Sequence, residues 1–371
     1  MRYSRKRVHP QKIIAGLREV FKGVCVKKPG QRNFFLLVLA ISVSQTFRLH
    51  ELAARLPIAE KKEKSKQKRL LRFLDTEFPC QAVMRAWLVY VLGCVWRSKR
   101  GCQQALLLID ETDLPGGWKA LVASVPFRNR AIPISWHIYK NAEISDGTYK
   151  SHNELIQNFC LALHRQVLEA TEAKGIEPVY VFDRGFARAK YVIKFLADNG
   201  INIVMRVPRN VRVCVEGSLR KLDDLQAGAY TEILYHANEA LPLNLYVVRD
   251  TAHADPMYLI SNRIQGRQLH TYYKRRMQIE HGFRDIKSCF HFKDLVLKKN
   301  HKPRIQLLFL SAVMTYGLLF LTYEKAAGIW AKSFETQRKI YSVITIIKKV
   351  IDEMWTHPTL LLFTQQTCLR N

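Results

Sequence analysis

The sequence is poor in acids: 31 Asp and Glu stand against 59 Lys and Arg, a formal charge of +28 and a pI near 9.9. Such a shortage disfavours cationic partners and favours polyanions, with fast, salt-sensitive association. Cysteine pairs are also missing. The eight cysteines, at 25, 80, 94, 102, 160, 214, 289 and 368, form no C-x-x-C, which argues against a disulfide framework or a thiolate zinc site and for reduced thiols in a cytosol. The 12 histidines make no H-E-x-x-H spacing and no ligand cluster, and no glycine-rich phosphate loop appears, so a nucleotide cofactor is not expected. Met1-Arg-Tyr-Ser-Arg-Lys-Arg-Val8 has no apolar core and is not expected to be a secretory signal. Long apolar runs are scarce too. Only Ile305 to Thr322 approaches a membrane span, and it carries Gln306, Ser311, Thr315 and Tyr316, so a buried core helix is expected and no membrane partner.

What is present is apolar mass and an uneven charge. Hydrophobic residues make up 48% of the 371 and aromatics 11%, enough for real cores and for two or three units. Residues 1–100 hold 23 Lys and Arg against 6 Asp and Glu, a net +17, which leaves +11 for the other 271. One segment is built to sit on phosphates. It reads as helical: an apolar run Asn33 to Ser44, Thr46 as N-cap, then Leu49, Leu52, Ala53 and Leu56 at helical spacing before Pro57. A lysine-rich connection from Lys61 to Arg69 leads into Leu70, Leu71, Phe73 and Leu74.

After residue 100 the pattern changes. Ala105 to Ile109, Trp118 to Val125 and Ala131 to Tyr139 read as strands, and His152 to Ala173 as a helix. Pro178 to Phe182 (strand), Ala187 to Asn199 (helix) and Ile201 to Val207 (strand) complete an α/β layout with a mixed sheet. Pro208 to Asp250 is short-period and β-like, with turns at Glu216-Gly217 and Ala227-Gly228, and Met257 to Ser261 returns as a strand. Gln268 to Ser288 reads as one long polar helix, followed by the apolar helix at 305–322 and an amphipathic tail at 335–354.

Three carboxylates stand out by placement. Asp110 ends the apolar strand and opens Asp110-Glu-Thr112; Asp183 ends the next and opens Asp183-Arg-Gly-Phe186. An acid where a buried strand emerges is rigidly held yet reaches the crevice where open sheets bind ligands. Glu280 lies on the polar helix, where Tyr273, Arg276, Glu280 and Lys287 fall within an arc of about 60°. Among rivals, Asp113 is expected in a turn past the strand, Glu111 to face away from Asp110, and Asp285 to lie off the Glu280 stripe by about 120°.

The spacing Tyr273-x2-Arg276-x3-Glu280-x6-Lys287 resembles the Y-R-E-K signature of the insertion-sequence-four group of bacterial D-D-E transposases. The blocks at Asp110 and Asp183 resemble that family's other two, in the same order, over about residues 70–325. The resemblance implies an RNase H-like core at 101–207 and 257–325, interrupted by a β-rich insertion at 208–256. Flanking these are a basic helical DNA-binding domain at 1–100 and a helical tail at 326–371. It implies cleavage at element ends and strand transfer of a 3′-hydroxyl, in a cytoplasmic bacterial homodimer on double-stranded DNA, since two ends are processed together. Two Mg²⁺ ions, replaceable by Mn²⁺, would be held by Asp110, Asp183 and Glu280, with Asp110 bridging, while Tyr273, Arg276 and Lys287 contact phosphate. Two further readings are a catalytically silent DNA-binding regulator and a nuclease on the same fold. Some members of the group stack a flipped base on a Trp of the insertion. None of the six Trp lies in 208–257, which leaves Tyr230, Tyr235 and Tyr246 for that role.

Overall fold

The computed structural model describes residues 10–338, apart from residues 57, 59–61, 98–103, 172–174, 189, 237–240, 250–254 and 297–298. The chain divides into two compact units. One joins the chain up to Cys94, Leu114–Gly117 and the chain from Phe283 onward; the other comprises Val95–Asp113 and Trp118–Gly282.

The first unit is helical. It contains α1 (Pro10–Phe21), α2 (Lys28–Ser44), α3 (Leu49–Ala54), α4 (Glu63–Leu74), most of α5 (Cys80–Arg97) and α11 (Lys302–Arg338). Its core includes a cluster of phenylalanines. Phe34 stacks on Phe78 at 5.0 Å, Phe21 meets Phe35 edge-on at 5.2 Å, and Phe47 meets Phe292 at 4.8 Å. Such pairs add to what burial alone contributes. The helix α11 packs on α1, α2 and α4, and 94% of its Lys302–Thr322 stretch is buried inside the protein despite a mean hydropathy of 1.9. It is therefore the core helix expected of residues 305–322. Two of its buried hydroxyls are satisfied within the helix: Ser311 donates to the Leu307 carbonyl and Thr315 to that of Ser311, each at 2.7 Å. No separate tail helix starts at 335, because α11 runs through to Arg338; residues 339–354 lie outside the described residues.

Two local expectations in this unit are corrected. Thr46 is not an N-cap; α3 begins after Arg48, and the Thr46 hydroxyl accepts the Arg48 N–H at 3.1 Å in a short side-chain turn. Pro57, read as the stop of that helix, lies outside the described residues, and the helix ends at Ala54. The lysine run is no connection from Glu63 onward but the first turns of α4. Lys, Glu and Gln are good helix formers, and buried Leu70, Phe73 and Leu74 anchor the helix. Arg69 also donates twice to the Asn33 side chain.

In the turn Pro115–Gly117, Gly116 has φ +76, and Asn300 donates to its carbonyl at 2.8 Å. A Cβ there would sit 2.6 Å from the Asn300 side chain. Gly116→Ala is expected to destabilise by about 1–3 kcal/mol, mostly from backbone strain. Denaturant unfolding would test this, and an unchanged midpoint would refute it.

The second unit is built on one ten-stranded mixed sheet. In chain order its strands are β1 (Gln104–Leu114), β2 (Trp118–Phe127), β3 (Arg130–Tyr139), β4 (Glu177–Phe182), β5 (Asn202–Val207), β6 (Arg212–Val215), β7 (Ser218–Lys221), β8 (Gly228–Tyr235), β9 (Leu241–Val248) and β10 (Met257–Ser261). Across the sheet the order is β3-β2-β1-β4-β5-β10-β9-β8-β6-β7. β1, β4 and β5 are parallel, while β2–β3 and everything from β10 to β7 pair antiparallel. The short helix α6 (Ala142–Ser145) precedes α7 (His152–Thr171), which packs on β4 and on α8 (Lys190–Asp198). This mixed sheet with flanking helices is the α/β class expected and is consistent with an RNase H-like fold.

Residues 208–256 extend the same sheet. The β6–β7 hairpin turns on Glu216 (φ 50) and Gly217 (φ 74), the positive pair a two-residue hairpin needs. Tyr235 is only 1% exposed, a core residue, and so is unsuited to stacking on a base; Tyr230 and Tyr246 remain partly exposed.

Candidate active site

The site begins with strand register. Parallel β1 and β4 pair from Gln104↔Glu177 to Ile109↔Phe182, so Asp110 and Asp183 are the next residues on two adjacent strands. All of Leu107–Ile109 and Val179–Phe182 are buried, which fixes where the two carboxylates emerge. Asp110 does not end its strand, as the sequence suggested: β1 continues to Leu114, so Asp113 is in the strand rather than a turn. What ends at Asp110 is the pairing with β4. The expected helix from Ala187 begins instead as a 3-10 turn, Arg184–Arg188, before α8.

The third acid arrives from above. The helix α9 (Arg267–Tyr273) packs on β4, β5, β9 and β10. The chain then tightens into a 3-10 turn, Lys274–Arg276, before α10 (Met277–Arg284), and loosens into a π turn at Asp285–Cys289. One uninterrupted α-helix over 268–288 is therefore corrected to four segments with different windings. Tight and wide turns of this kind are frequent at functional sites because they re-aim side chains.

The result is a convergence on Arg276. Its Nη2 lies 2.7 Å from Glu280 Oε1, its Nη1 3.6 Å from Asp110 Oδ2 and its Nε 3.6 Å from Asp183 Oδ1. The Arg276 side chain is 10% exposed and that of Asp110 17%, against 38% for Asp183 and 39% for Glu280. The Tyr273 hydroxyl donates to Asp183 Oδ1 at 3.1 Å. Five of the six residues singled out in the sequence thus meet at one place. Lys287 lies in the π turn, on the other side of the division between the two units.

The electrostatics follow from burial. Asp110 is pushed up to about 6, first by burial and then by Asp183 and Glu280. The Glu111 N–H (2.8 Å) and Arg276 resist that rise. Burial raises the Tyr273 phenol to about 12, with Asp183 adding to it, so it remains a donor. Burial would loosen the proton on Arg276, but Asp183, Tyr273 and Glu280 outweigh it and the guanidinium stays charged. Strongly displaced groups gathered in one crevice are a mark of functional sites.

Rival acids are engaged elsewhere. Glu111 pairs with His152 at 3.1 Å, Asp113 pairs with Lys119 at 3.2 Å and is 79% exposed, and Asp285 is buried in the π turn. One residue was missed in the sequence. Phe182 pairs with Met205 on β5, so Arg206 stands next to Asp183 in the same row, and its charge helps to hold the Tyr273 phenol down. The signal was an arginine inside the otherwise apolar strand Ile201-Asn-Ile-Val-Met-Arg206-Val207.

Carboxylate oxygens are the donors hard divalent cations prefer, so Asp110, Asp183 and Glu280 fit such ions chemically. The Arg276 guanidinium lies between them, and among the described residues no three acidic, His or Cys side chains lie close enough to share one ion.

Comparison with known proteins bears on the family of the domain and leaves the individual site residues, among them Asp110 outside the matched span, to the geometry above. No curated protein matches the chain. Residues 161–316 match the family model described as a transposase DDE domain, a span that contains Asp183, Tyr273, Arg276, Glu280 and Lys287. The match supports a DDE transposase, a nucleic-acid-processing enzyme.

Proposed function

We propose that this chain is a DNA transposase of the insertion-sequence-four group. It would cut phosphodiester bonds at the ends of a mobile element and join the freed 3′-hydroxyl to target DNA. The observation that carries the reading is the register that sets Asp110 beside Asp183, with Glu280 drawn to both through Arg276. Asp110, Asp183 and Glu280 are the residues that would hold a pair of Mg²⁺ or Mn²⁺ ions. When bound, such a pair neutralises charge on the attacking and leaving oxygens of an in-line displacement. The chain's own residues position the acids and the DNA. Tyr273 holds Asp183 by its hydroxyl, and the rigid strands hold both aspartates. Arg276 and Lys287 grip phosphate, Arg by its planar fork and Lys as a point charge. Water attacks in the nicking step and a DNA 3′-hydroxyl in the joining step, so no covalent protein–DNA intermediate is needed. The basic helices of residues 1–100, at net +17, bind the element ends as a domain of a homodimer.

Supercoiled plasmid carrying candidate element ends, incubated with Mg²⁺ and wild-type or Glu280→Gln protein, tests the reading. Nicking or excision at the ends by wild type alone supports it, with end binding retained by the variant. Equal cutting by both proteins rejects the site. Binding by both with cutting by neither favours a DNA-binding regulator.

A further inference from the structure

Arg276 stands in the seat that a cation would take. Its guanidinium reaches one oxygen of each of three carboxylates, at 2.7, 3.6 and 3.6 Å, while its own side chain is 10% exposed. Only the contact with Glu280 is a hydrogen bond to an acid. The Nε toward Asp183 is buried and makes none, and Nη2 spends a further donor on the soft Met277 sulfur at 3.3 Å. A buried guanidinium gains most when its fork is filled by bidentate oxygens, and this one is held mainly by charge. Even with Arg206 beside Asp183, two positive charges face three carboxylates, so the cluster keeps a net attraction for further cations.

We propose that Arg276 is a built-in counter-ion, which holds the three carboxylates together in the cation-free protein and competes with divalent cations for them. The inference rests on the reading of Asp110, Asp183 and Glu280 as cation ligands and adds a coupling to it. A cation that seats among the acids must expel the guanidinium, and the expelled arginine becomes available to a phosphate at the same place. Metal loading and the grip on DNA are then linked through one side chain, and Arg276 acts as a positioning residue. Its short contacts are local, to Met277 and Glu280 just after it along the chain, and those to Asp110 and Asp183 are longer, so a change of rotamer frees it without moving the strands.

The test is Mn²⁺ binding to the full chain without DNA, read by electron paramagnetic resonance, together with thermal unfolding in EDTA and in Mn²⁺. Arg276→Gln is expected to bind Mn²⁺ about tenfold more tightly than wild type, the range of a typical coupling between competing ligands. It should melt lower than wild type in EDTA, with the gap closing or reversing as Mn²⁺ saturates. Arg276→Lys keeps the charge and should stay within about threefold of wild type. Weakened or unchanged Mn²⁺ binding in Arg276→Gln overturns the inference, since a merely structural arginine would weaken the site when removed. Glu280→Gln separates the two levels of argument. If it abolishes Mn²⁺ binding while Arg276→Gln leaves it unchanged, only the competition is wrong. If Glu280→Gln leaves Mn²⁺ binding intact, the acids are not the cation site and both readings fall.

Discussion

Asp110→Asn is expected to abolish DNA cleavage, by roughly 10³-fold or more, and at the same time to make the cation-free protein more stable at pH 8. The two effects have one cause. Asp110 is held between buried β-strands and beside two other acids, and its carboxyl rises from 3.8 to about 6. The folded state therefore binds this proton more tightly than the unfolded state does. The stability gained from it is complete below pH 3.8 and is lost as pH rises through about 6. Above that, the ionised side chain costs up to about 3 kcal/mol, a cost its asparagine isostere does not carry. In EDTA at pH 8 the variant should melt several degrees higher than wild type, and the difference should shrink as pH is lowered through 6 toward 4. Arg276 keeps Glu280 and Asp183 in the variant, so no buried charge is stranded. A variant that melts lower than wild type at pH 8 would show that Asp110 serves the fold rather than the chemistry.

The second large effect lies in the helical unit. Asp75 follows α4 and accepts from Lys299 at 3.1 Å and from Arg304 of α11, whose side chain is 3% exposed. Burial alone would raise the Asp75 carboxyl, but the hydrogen bonds from Lys299 and Arg304 and their charges bring it below its ordinary value. Its contribution is therefore present at neutral pH and lost as pH falls through and below the usual carboxylate range. Asp75→Ala leaves the Arg304 guanidinium buried without its anion and should destabilise by about 3–5 kcal/mol. Arg304→Met removes the buried charge and fills the space with apolar atoms. Asp75, about a third exposed, can then turn to water, so that change should stay within about 1 kcal/mol. Calorimetric unfolding of the two variants checks the asymmetry. Equal losses would mean that the pair itself, not the stranded charge, sets the cost.

Much of the site was legible because its parts sit at places that strand physics singles out. The apolar runs before Asp110 and Asp183 are short and unbroken, and such runs become buried strands whose next polar residue must emerge. The spacing of Tyr273, Arg276 and Glu280 survived the break of the helix into α and 3-10 turns, because the turn is only three residues long. The windings themselves were not legible. A 3-10 or π turn differs from an α turn in where the carbonyls point, which depends on what the helix packs against, while its residues remain ordinary helix formers. The same limit hid the lysine-rich start of α4. A run of lysines and glutamine suits a helix or a solvated loop, and burial of Leu70, Phe73 and Leu74 decides between them.

By itself the sequence determined the class of the fold, the two aspartates that follow buried apolar runs, the glutamate that joins them in the candidate site and the positive charge that suits a polyanion partner. These follow from local pattern and composition, which each segment carries with it. Tertiary structure alone decided that Ile109 faces Phe182, that Arg206 shares the row of Asp183, and that Arg276 turns inward among the acids rather than outward. Register is a relation between strands 73 residues apart in number, as Ile109↔Phe182 shows, and nothing in either strand alone states it. The direction of an arginine on a polar helix is likewise open until the opposing charges are in place. Three carboxylates gathered by packing turn a surface side chain into a buried counter-ion.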